Sequence, residues 1–249
     1  MKPKKPLKQI KTVLITGASS GIGQAIAYRF AKAGHQLILA YHQNQAGIQE
    51  TVALSKNLGA KDSTVVNLDL GDDSSIQGCA KEISANFPQI DILINNSGFL
   101  VGKKLVDSSF EEIDNQLNTN LVGLIKFTKM ILPGLTESVV NIGSNLGLIG
   151  KSKLAVYSAS KFGVRGFSQS LAKEYPNLRI YTVNPPLTAT RMGSQFGLAP
   201  AKVAEIVFSA ANGLYRAKSG SDINVIDYLF GEFLKYFISP LRAIKRKIL

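Results

Sequence analysis

Short apolar runs alternate with longer amphipathic stretches from the first residues to the last third of this chain. The runs of strand length are Thr12–Thr16, Gln36–Tyr41, Ser63–Leu68, Ile90–Asn95, Ser138–Gly143 and Arg179–Asn184, with a weaker seventh at Asp222–Ile226. They are short, rich in β-branched residues and nearly free of charge, as strands covered on both faces must be. Between them the spacing of apolar positions predicts helices over 22–33, 45–58, 73–86, 109–134, 152–175 and 200–213. Strand and helix in strict alternation imply a parallel sheet of about seven strands with helices on both faces, a doubly wound α/β domain. No internal repeat, linker or low-complexity segment divides it, so residues 1–249 are expected to form one domain.

Composition narrows the possibilities. A chain of 249 residues that is 45% hydrophobic is not disordered, and a single cysteine, Cys79, excludes both a disulfide framework and a cysteine-ligated metal. With only His35 and His42 as histidines, no metal site is expected. The net charge of +12 comes mostly from the ends: Lys2, Lys4, Lys5, Lys8 and Lys11 at one, and Lys235, Arg242, Lys245, Arg246 and Lys247 at the other. With ten of the 29 bases there, residues 12 to 234 hold 19 bases against 17 acids, and no basic face for nucleic acid is expected. The basic start is followed by too short an apolar run for a signal peptide or a spanning helix, which makes the cytoplasm the expected location.

The first strand runs directly into Thr16-Gly17-Ala18-Ser19-Ser20-Gly21-Ile22-Gly23, which opens a helix. Gly17 permits a tight turn, Gly21 lets backbone approach a pyrophosphate, and Gly23 lets helix and strand pack closely. The helix start then offers free N–H groups to phosphate. Three glycines can also merely shape a loop, but their place between first strand and first helix points to a Rossmann-type dinucleotide site. Such a site for NAD commonly has an acid at the end of the second strand to hold the ribose 2′-hydroxyl. Here that strand ends Ala40-Tyr41-His42, and no Asp or Glu occurs from Gly17 to Gln49. NADP(H) is therefore expected, with Ser19, Ser20, Tyr41 and His42 as candidate partners of the 2′-phosphate. NAD(H) stays open, since Tyr41 and His42 can equally be ordinary strand-end residues.

Tyr157 and Lys161 lie four apart on a helix, hence on one face, where an ammonium can lower a phenol's pKa. Tyr28 and Lys32 repeat the spacing, so context must separate the pairs. Ser144 lies thirteen residues before Tyr157 at the carboxyl end of a strand, whereas Ile15, thirteen before Tyr28, is inside one. Ligands bind at the carboxyl ends of strands in open α/β sheets.

Together these residues resemble the short-chain dehydrogenase/reductase family from about Lys11 to Asn212: the glycine loop, Asn95-Asn96-Ser97-Gly98, Asn120, Ser144, Tyr157 with Lys161, and Asn184-Pro185. The resemblance implies a carbonyl/alcohol oxidoreductase using hydride transfer, a ketone, aldehyde or 3-oxoacyl reductase. It implies a catalytic set in which Tyr157 transfers the proton, Lys161 lowers its pKa and holds the nicotinamide ribose, Ser144 binds the substrate oxygen, and Asn120 anchors a relay water. Further implied cofactor contacts are Ile22, Asn96, Gly98, Pro185, Thr188, Thr190 and Asp69, the last equally readable as a turn or helix-start acid. A homodimer or homotetramer is also implied, and Ala155, Ala159 and Gly163 supply a small-residue stripe for it. The other reading is a non-catalytic dinucleotide sensor or scaffold that uses its basic ends to meet an acidic partner or membrane.

The chain departs from the family pattern in four places, the first a small one: Ser97 stands in Asn96-Ser97-Gly98 where alanine is usual. Pro186 stands where glycine is usual, which must alter the backbone beside the nicotinamide. The stretch from Thr190 to Pro200 is short for a substrate lid, so an open pocket is expected, with apolar Leu146, Leu148, Ile149 and Met192 facing it. Residues 228–249 form an aromatic, then basic, extension. It can cover the pocket or a partner subunit, or lie on an anionic membrane surface.

Overall fold

The computed structural model describes residues 9–190, 192–193 and 196–230. Seven strands, β1 (Thr12–Thr16), β2 (Gln36–Tyr41), β3 (Asp62–Asn67), β4 (Ile90–Asn95), β5 (Leu135–Ile142), β6 (Arg179–Asn184) and β7 (Asp222–Asn224), form one sheet in the order β3-β2-β1-β4-β5-β6-β7. Every pair is parallel. The chain winds outward through β1, β2 and β3, then returns to place β4 beside β1. This reversal opens a crevice at the strands' carboxyl ends, the position where open α/β sheets hold ligands.

Successive strand residues face opposite sides, and the two cores follow that period of two. Val13 and Ile15 pack on one side with α1 (Gly21–Ala31), α2 (Gln45–Asn57) and α7 (Pro200–Ala211). There the Phe30 and Phe208 rings lie 4.9 Å apart, and the Arg29 guanidinium sits 3.5 Å over Phe208. Leu14 points to the other side, against α3 (Asp73–Asn86), α5 (Gly123–Ile131) and α6 (Ala155–Glu174). The doubly wound expectation therefore holds on both faces.

Three differences from the sequence reading have local causes. The helix expected over 109–134 is α4 (Phe110–Leu117), a widened π turn at Asn118–Val122, α5, and a 3-10 turn at Leu132–Gly134. The periodicity persists across the π turn, and Asn120 within it is fully buried. Pro133 lies in the 3-10 turn, and β5 begins at Leu135 rather than Ser138. Finally, β7 stops at Asn224, and residues 225–230 are helical.

A polar seam crosses the centre of the sheet. Asn95 Nδ2 donates to Thr128 Oγ1 (2.9 Å) and to Asn141 Oδ1 (2.8 Å), and Asn141 Nδ2 donates to Ser168 Oγ (2.8 Å). All four side chains are buried, so the seam ties β4 and β5 to α5 and α6 behind the site. Asn95 is thus a structural residue that links the two central strands to the helices behind them.

Candidate active site

The crevice is a cleft of about 1070 Å³ that runs from the glycine loop past the ends of β4 and β5 to α6. Gly17, Ser19, Ser20, Gly21, Ile22, His42, Asp69, Asn96, Gly98, Ser144, Tyr157, Lys161, Pro185, Thr188 and Thr190 all line it. Residues from widely separated parts of the sequence thus share one surface.

Gly17 and Gly21 adopt φ of +65° and +57°, a region costly for a residue with a Cβ. Gly23 is buried behind the loop rather than in the cleft: a Cβ there would lie 2.2 Å from the Gly17 carbonyl oxygen. The first turn of α1 carries no acid, and its N-cap Ser20 makes no side-chain cap bond. Its N–H groups and positive dipole end are therefore free to face an anion. Asn96 does not point at a ligand but braces the loop, donating from Nδ2 to the Thr16 and Gly17 carbonyls (3.0 and 3.2 Å).

At the far side of the loop, His42 Nε2 lies 3.3 Å from Asp69 Oδ2, and the other Asp69 oxygen accepts the Gly71 N–H (2.8 Å). Asp69 thus does serve as a turn residue, while still lining the cleft. Tyr41 turns aside, its hydroxyl donating to Gln45 Oε1 on the exposed start of α2. Asn44, which the sequence reading passed over, lines the cleft and joins the two loops: Nδ2 donates to the Ser19 carbonyl (3.1 Å), and Oδ1 accepts the Gly47 N–H. An asparagine immediately before a helix was the available signal.

The end of the cleft away from the glycine loop is built by β5 and α6. Ser144 follows β5; its N–H donates to Asn184 Oδ1 (3.2 Å) and its Oγ accepts the Leu146 N–H (3.1 Å). Tyr157, 8% exposed, is hydrogen-bonded to the Ser144 hydroxyl. Burial pushes the phenol's pKa up, and the Ser144 bond pulls it back in part. Lys161, 4% exposed, donates from Nζ to the Ile142 carbonyl (2.9 Å), with Nζ 5.8 Å from the centre of the Tyr157 ring. Burial lowers its pKa to about 8. Burial thus sets the direction for Tyr157 in this structure, while the lowering expected from Lys161 together with the positive nicotinamide ring concerns the cofactor-bound protein.

Asn120 stands behind this surface. Its Oδ1 accepts the Phe99 N–H (2.9 Å) and its Nδ2 donates to the Phe99 carbonyl (2.8 Å) and to Ser160 Oγ (3.4 Å). A Cβ on Gly98 would come within 2.9 Å of Asn120 Oδ1 and 3.7 Å of Lys161 Nζ, so glycine there lets the loop close over both. The second Tyr–Lys pair, Tyr28 on α1 and Lys32 at its carboxyl-end cap, does not line the cleft.

Beyond these residues the cleft wall is largely apolar, with Phe99, Leu100, Leu146, Leu187 and Met192, while Lys151 also lines it. Of the four residues expected there, Leu146 and Met192 line the cleft and Leu148 and Ile149 do not. Beyond Pro186, Thr188 Oγ1 donates to the Pro186 carbonyl (2.8 Å), and Thr188 bridges to Leu198, closing the short segment into a loop. Leu187 is 62% and Met192 49% exposed, which agrees with an open mouth. In the small-residue stripe, Gly163 packs inward, since a Cβ there would lie 2.5 Å from Leu121; only Ala155 and Ala159 remain exposed. The basic start (residues 1–8) and most of the extension at 228–249, from 231 onward, lie outside the described residues. Among the described residues no helix is long and apolar enough to cross a membrane, and no cluster of metal-ligating side chains occurs.

A glycine-cradled crevice leading to a Ser–Tyr–Lys set is matched by the family model for short chain dehydrogenases over residues 11–200, and the chain belongs to that family. Among individual relatives, it is 33% identical over 182 residues to mouse dehydrogenase/reductase SDR family member 7, covering 70% of this chain and 54% of that protein. It is 35% identical over 172 residues to human estradiol 17-beta-dehydrogenase 11, covering 68% and 57%. The chain therefore spans just over half the length of these two. The 3-oxoacyl-(acyl-carrier-protein) reductase FabG of Staphylococcus aureus strain N315 is 31% identical over 182 residues, covering 72% and 73%. A Burkholderia cenocepacia short chain dehydrogenase solved in complex with NADP superposes with a TM-score of 0.82 at 26% identity, covering 87% of this chain and 96% of that one.

Proposed function

We propose that this protein is an NADP(H)-preferring reductase of ketones, aldehydes or 3-oxoacyl groups. The observation that carries the reading is the convergence of the Ser144 hydroxyl, the Tyr157 phenol and the Lys161 ammonium at one end of the glycine-lined cleft. The free N–H groups of α1, the close approach of Gly98 and the absence of acid in the first turn fit a dinucleotide pyrophosphate. When bound, the nicotinamide supplies or accepts the hydride. The chain's own residues do the rest. Ser144 Oγ accepts from Leu146, so its proton is directed to the substrate oxygen or to Tyr157. Tyr157 donates its proton to the carbonyl oxygen in reduction and removes one in oxidation. Lys161 keeps most of its proton at pH 7, stabilises phenolate as it forms, and is placed to hold the nicotinamide ribose. Both polar atoms of the Asn120 side chain are used on Phe99, so a relay water at this position would bind the backbone of the π turn.

NADP(H) is favoured by the acid-free stretch from Gly17 to Gln49 and by the donors of Ser19, Ser20, Asn44 and His42 at the cleft's end. The Asp69 carboxylate at this end is occupied by His42 and Gly71. Phe99, Leu100, Leu146, Leu187 and Met192 favour an apolar or acyl-like carbonyl, in keeping with the substrates printed in the names of the estradiol dehydrogenase and 3-oxoacyl reductase relatives. We further propose a homodimer or homotetramer, supported by exposed Val106, Phe110 and Phe162 near α4 and on α6.

The test is NADPH oxidation with acetoacetyl-CoA, an aryl ketone and a long-chain aldehyde. The reading requires turnover of at least one, lost in Tyr157→Phe. Cofactor binding with no turnover of any carbonyl or alcohol would favour the non-catalytic sensor.

A further inference from the structure

Ser144 binds a substrate oxygen productively only if the strand end that carries it keeps a fixed distance from Tyr157. Ser144 stands just past β5, flanked by two backbone bonds that continue the pairing with the β6 side, Gly143 N–H to the Val183 carbonyl (2.8 Å) and Asn145 N–H to the Pro185 carbonyl (3.0 Å). Between them, its own N–H enters a chain of buried and half-buried polar side chains. Its N–H donates to Asn184 Oδ1 (3.2 Å), and Asn184 is completely buried. Asn184 can come so close because residue 143 is glycine: a Cβ there would lie 2.1 Å from Asn184 Oδ1. Asn184 Nδ2 donates onward to Asp222 Oδ1 and Asn224 Oδ1, both at 3.3 Å. Asp222 is held in turn by Arg165 through two parallel bonds, Nε to Oδ1 (3.0 Å) and Nη2 to Oδ2 (2.7 Å). The same guanidinium reaches back to the serine loop, Nη1 donating to the Gly147 carbonyl (2.7 Å). One ion pair therefore grips the loop at both ends, at Ser144 through Asn184 and at Gly147 directly. Arg165 lies one helical turn beyond Lys161 and two beyond Tyr157, so α6 carries the phenol, the ammonium and this anchor on neighbouring turns of one side.

We infer that Arg165 and Asp222 are positioning residues for Ser144, holding through Asn184 and the Gly147 carbonyl the loop that presents the serine hydroxyl to Tyr157. The pair does more than tie the three-residue β7 to the sheet edge. An edge tie needs only Asp222 and a cation, whereas here a third guanidinium bond and the Asn184 amide both run to the loop around Ser144. The side chains are 22% and 19% exposed, and a two-pronged Arg–carboxylate pair of this kind fixes orientation as well as distance. The inference rests on the reductase reading, in which Ser144 binds the substrate oxygen.

The test compares wild type with Asp222→Asn and Arg165→Met by two measurements on the full chain. Hydrogen–deuterium exchange of peptides covering residues 143–149 is expected to accelerate by about tenfold or more, the effect of losing one such bond, with exchange in β4 and the body of α6 unchanged. With NADPH and acetoacetyl-CoA, kcat is expected to fall about tenfold or more with the Kd for NADPH within about twofold of wild type. In a Ser144→Ala background the same substitutions should cause no further fall, because they act through the serine. Unchanged exchange at 143–149 in both variants, or an equal kcat loss with and without Ser144, would overturn the inference. Asp222→Asn preserves side-chain volume and carries the test if Arg165→Met does not fold. If wild type turns over no carbonyl, the reductase reading fails on that result, and the exchange measurement still decides whether the clamp exists.

Discussion

Replacing Lys161 with methionine should abolish turnover and yet stabilise the fold at neutral pH. Burial lowers the pKa of this ammonium from 10.5 to about 8, and the one hydrogen bond the structure gives Nζ goes to the Ile142 carbonyl. At about 1.4 kcal/mol per pH unit, keeping the charge in the folded protein costs about 3 kcal/mol at pH 7. Methionine removes that cost but leaves the Ile142 carbonyl without its donor, worth about 1 kcal/mol, so the variant should be ahead by about 2 kcal/mol. Below pH 8 both folded and unfolded wild type hold the proton and the gap is constant. Between pH 8 and 10.5 the native lysine releases its proton while the unfolded chain keeps it. The unfolded state then binds more protons, and wild-type stability rises with pH relative to the variant. By pH 10 wild type should have gained about 2.5 kcal/mol relative to the variant, enough to close the gap and leave the two proteins about equal or wild type slightly ahead. Guanidinium unfolding of both proteins at pH 7, 8, 9 and 10 gives the difference directly, and the other titrating groups cancel from it. A pH-independent gap, or a variant less stable than wild type at pH 7, would refute the claim that Lys161 carries a desolvation penalty.

Other substitutions probe the remaining parts. Tyr157→Phe should lower kcat by about 10²-fold or more while leaving thermal stability and NADPH binding near wild type, because the ring stays and only the proton donor goes; steady-state kinetics beside calorimetry check this. Gly23→Ala places a Cβ 2.2 Å from the Gly17 oxygen and 2.5 Å from Asn96 Nδ2, so unfolding experiments should show a loss of about 1–3 kcal/mol, with weakened cofactor binding. Asn95→Ala leaves Asn141 Oδ1 and Thr128 Oγ1 short of a buried donor and should cost about 2 kcal/mol or more by chemical denaturation, without altering the cleft's lining.

The sheet was legible because its strands are uncharged runs of fixed length, and five of the seven begin where the pattern places them. The Tyr–Lys pair that lines the cleft was legible because spacing and context together singled out Tyr157 and Lys161 over Tyr28 and Lys32. The π turn was not, since the buried positions Gln116, Asn120, Leu124 and Phe127 keep ordinary helical spacing across it. Nor was the division of labour among polar residues. Asn96, Asn120 and Asp69 have side chains suited to a ligand, but the structure uses them largely on backbone, and no spacing reveals which partner an amide will choose. The link among Arg165, Asp222 and Asn184 joins positions up to 57 residues apart and depends on Gly143 making room, a tertiary condition that periodicity does not encode.

Whether the nicotinamide site prefers the 2′-phosphate is decided by the Kd values of NADPH and NADH, read from the change in nicotinamide fluorescence on binding. NADPH should bind tighter by about tenfold, or about 1.4 kcal/mol, with the advantage reduced in His42→Ala. Tighter binding of NADH would contradict the assignment of His42 and the serines of the glycine loop to the phosphate, and binding of neither would contradict the reading of the cleft itself.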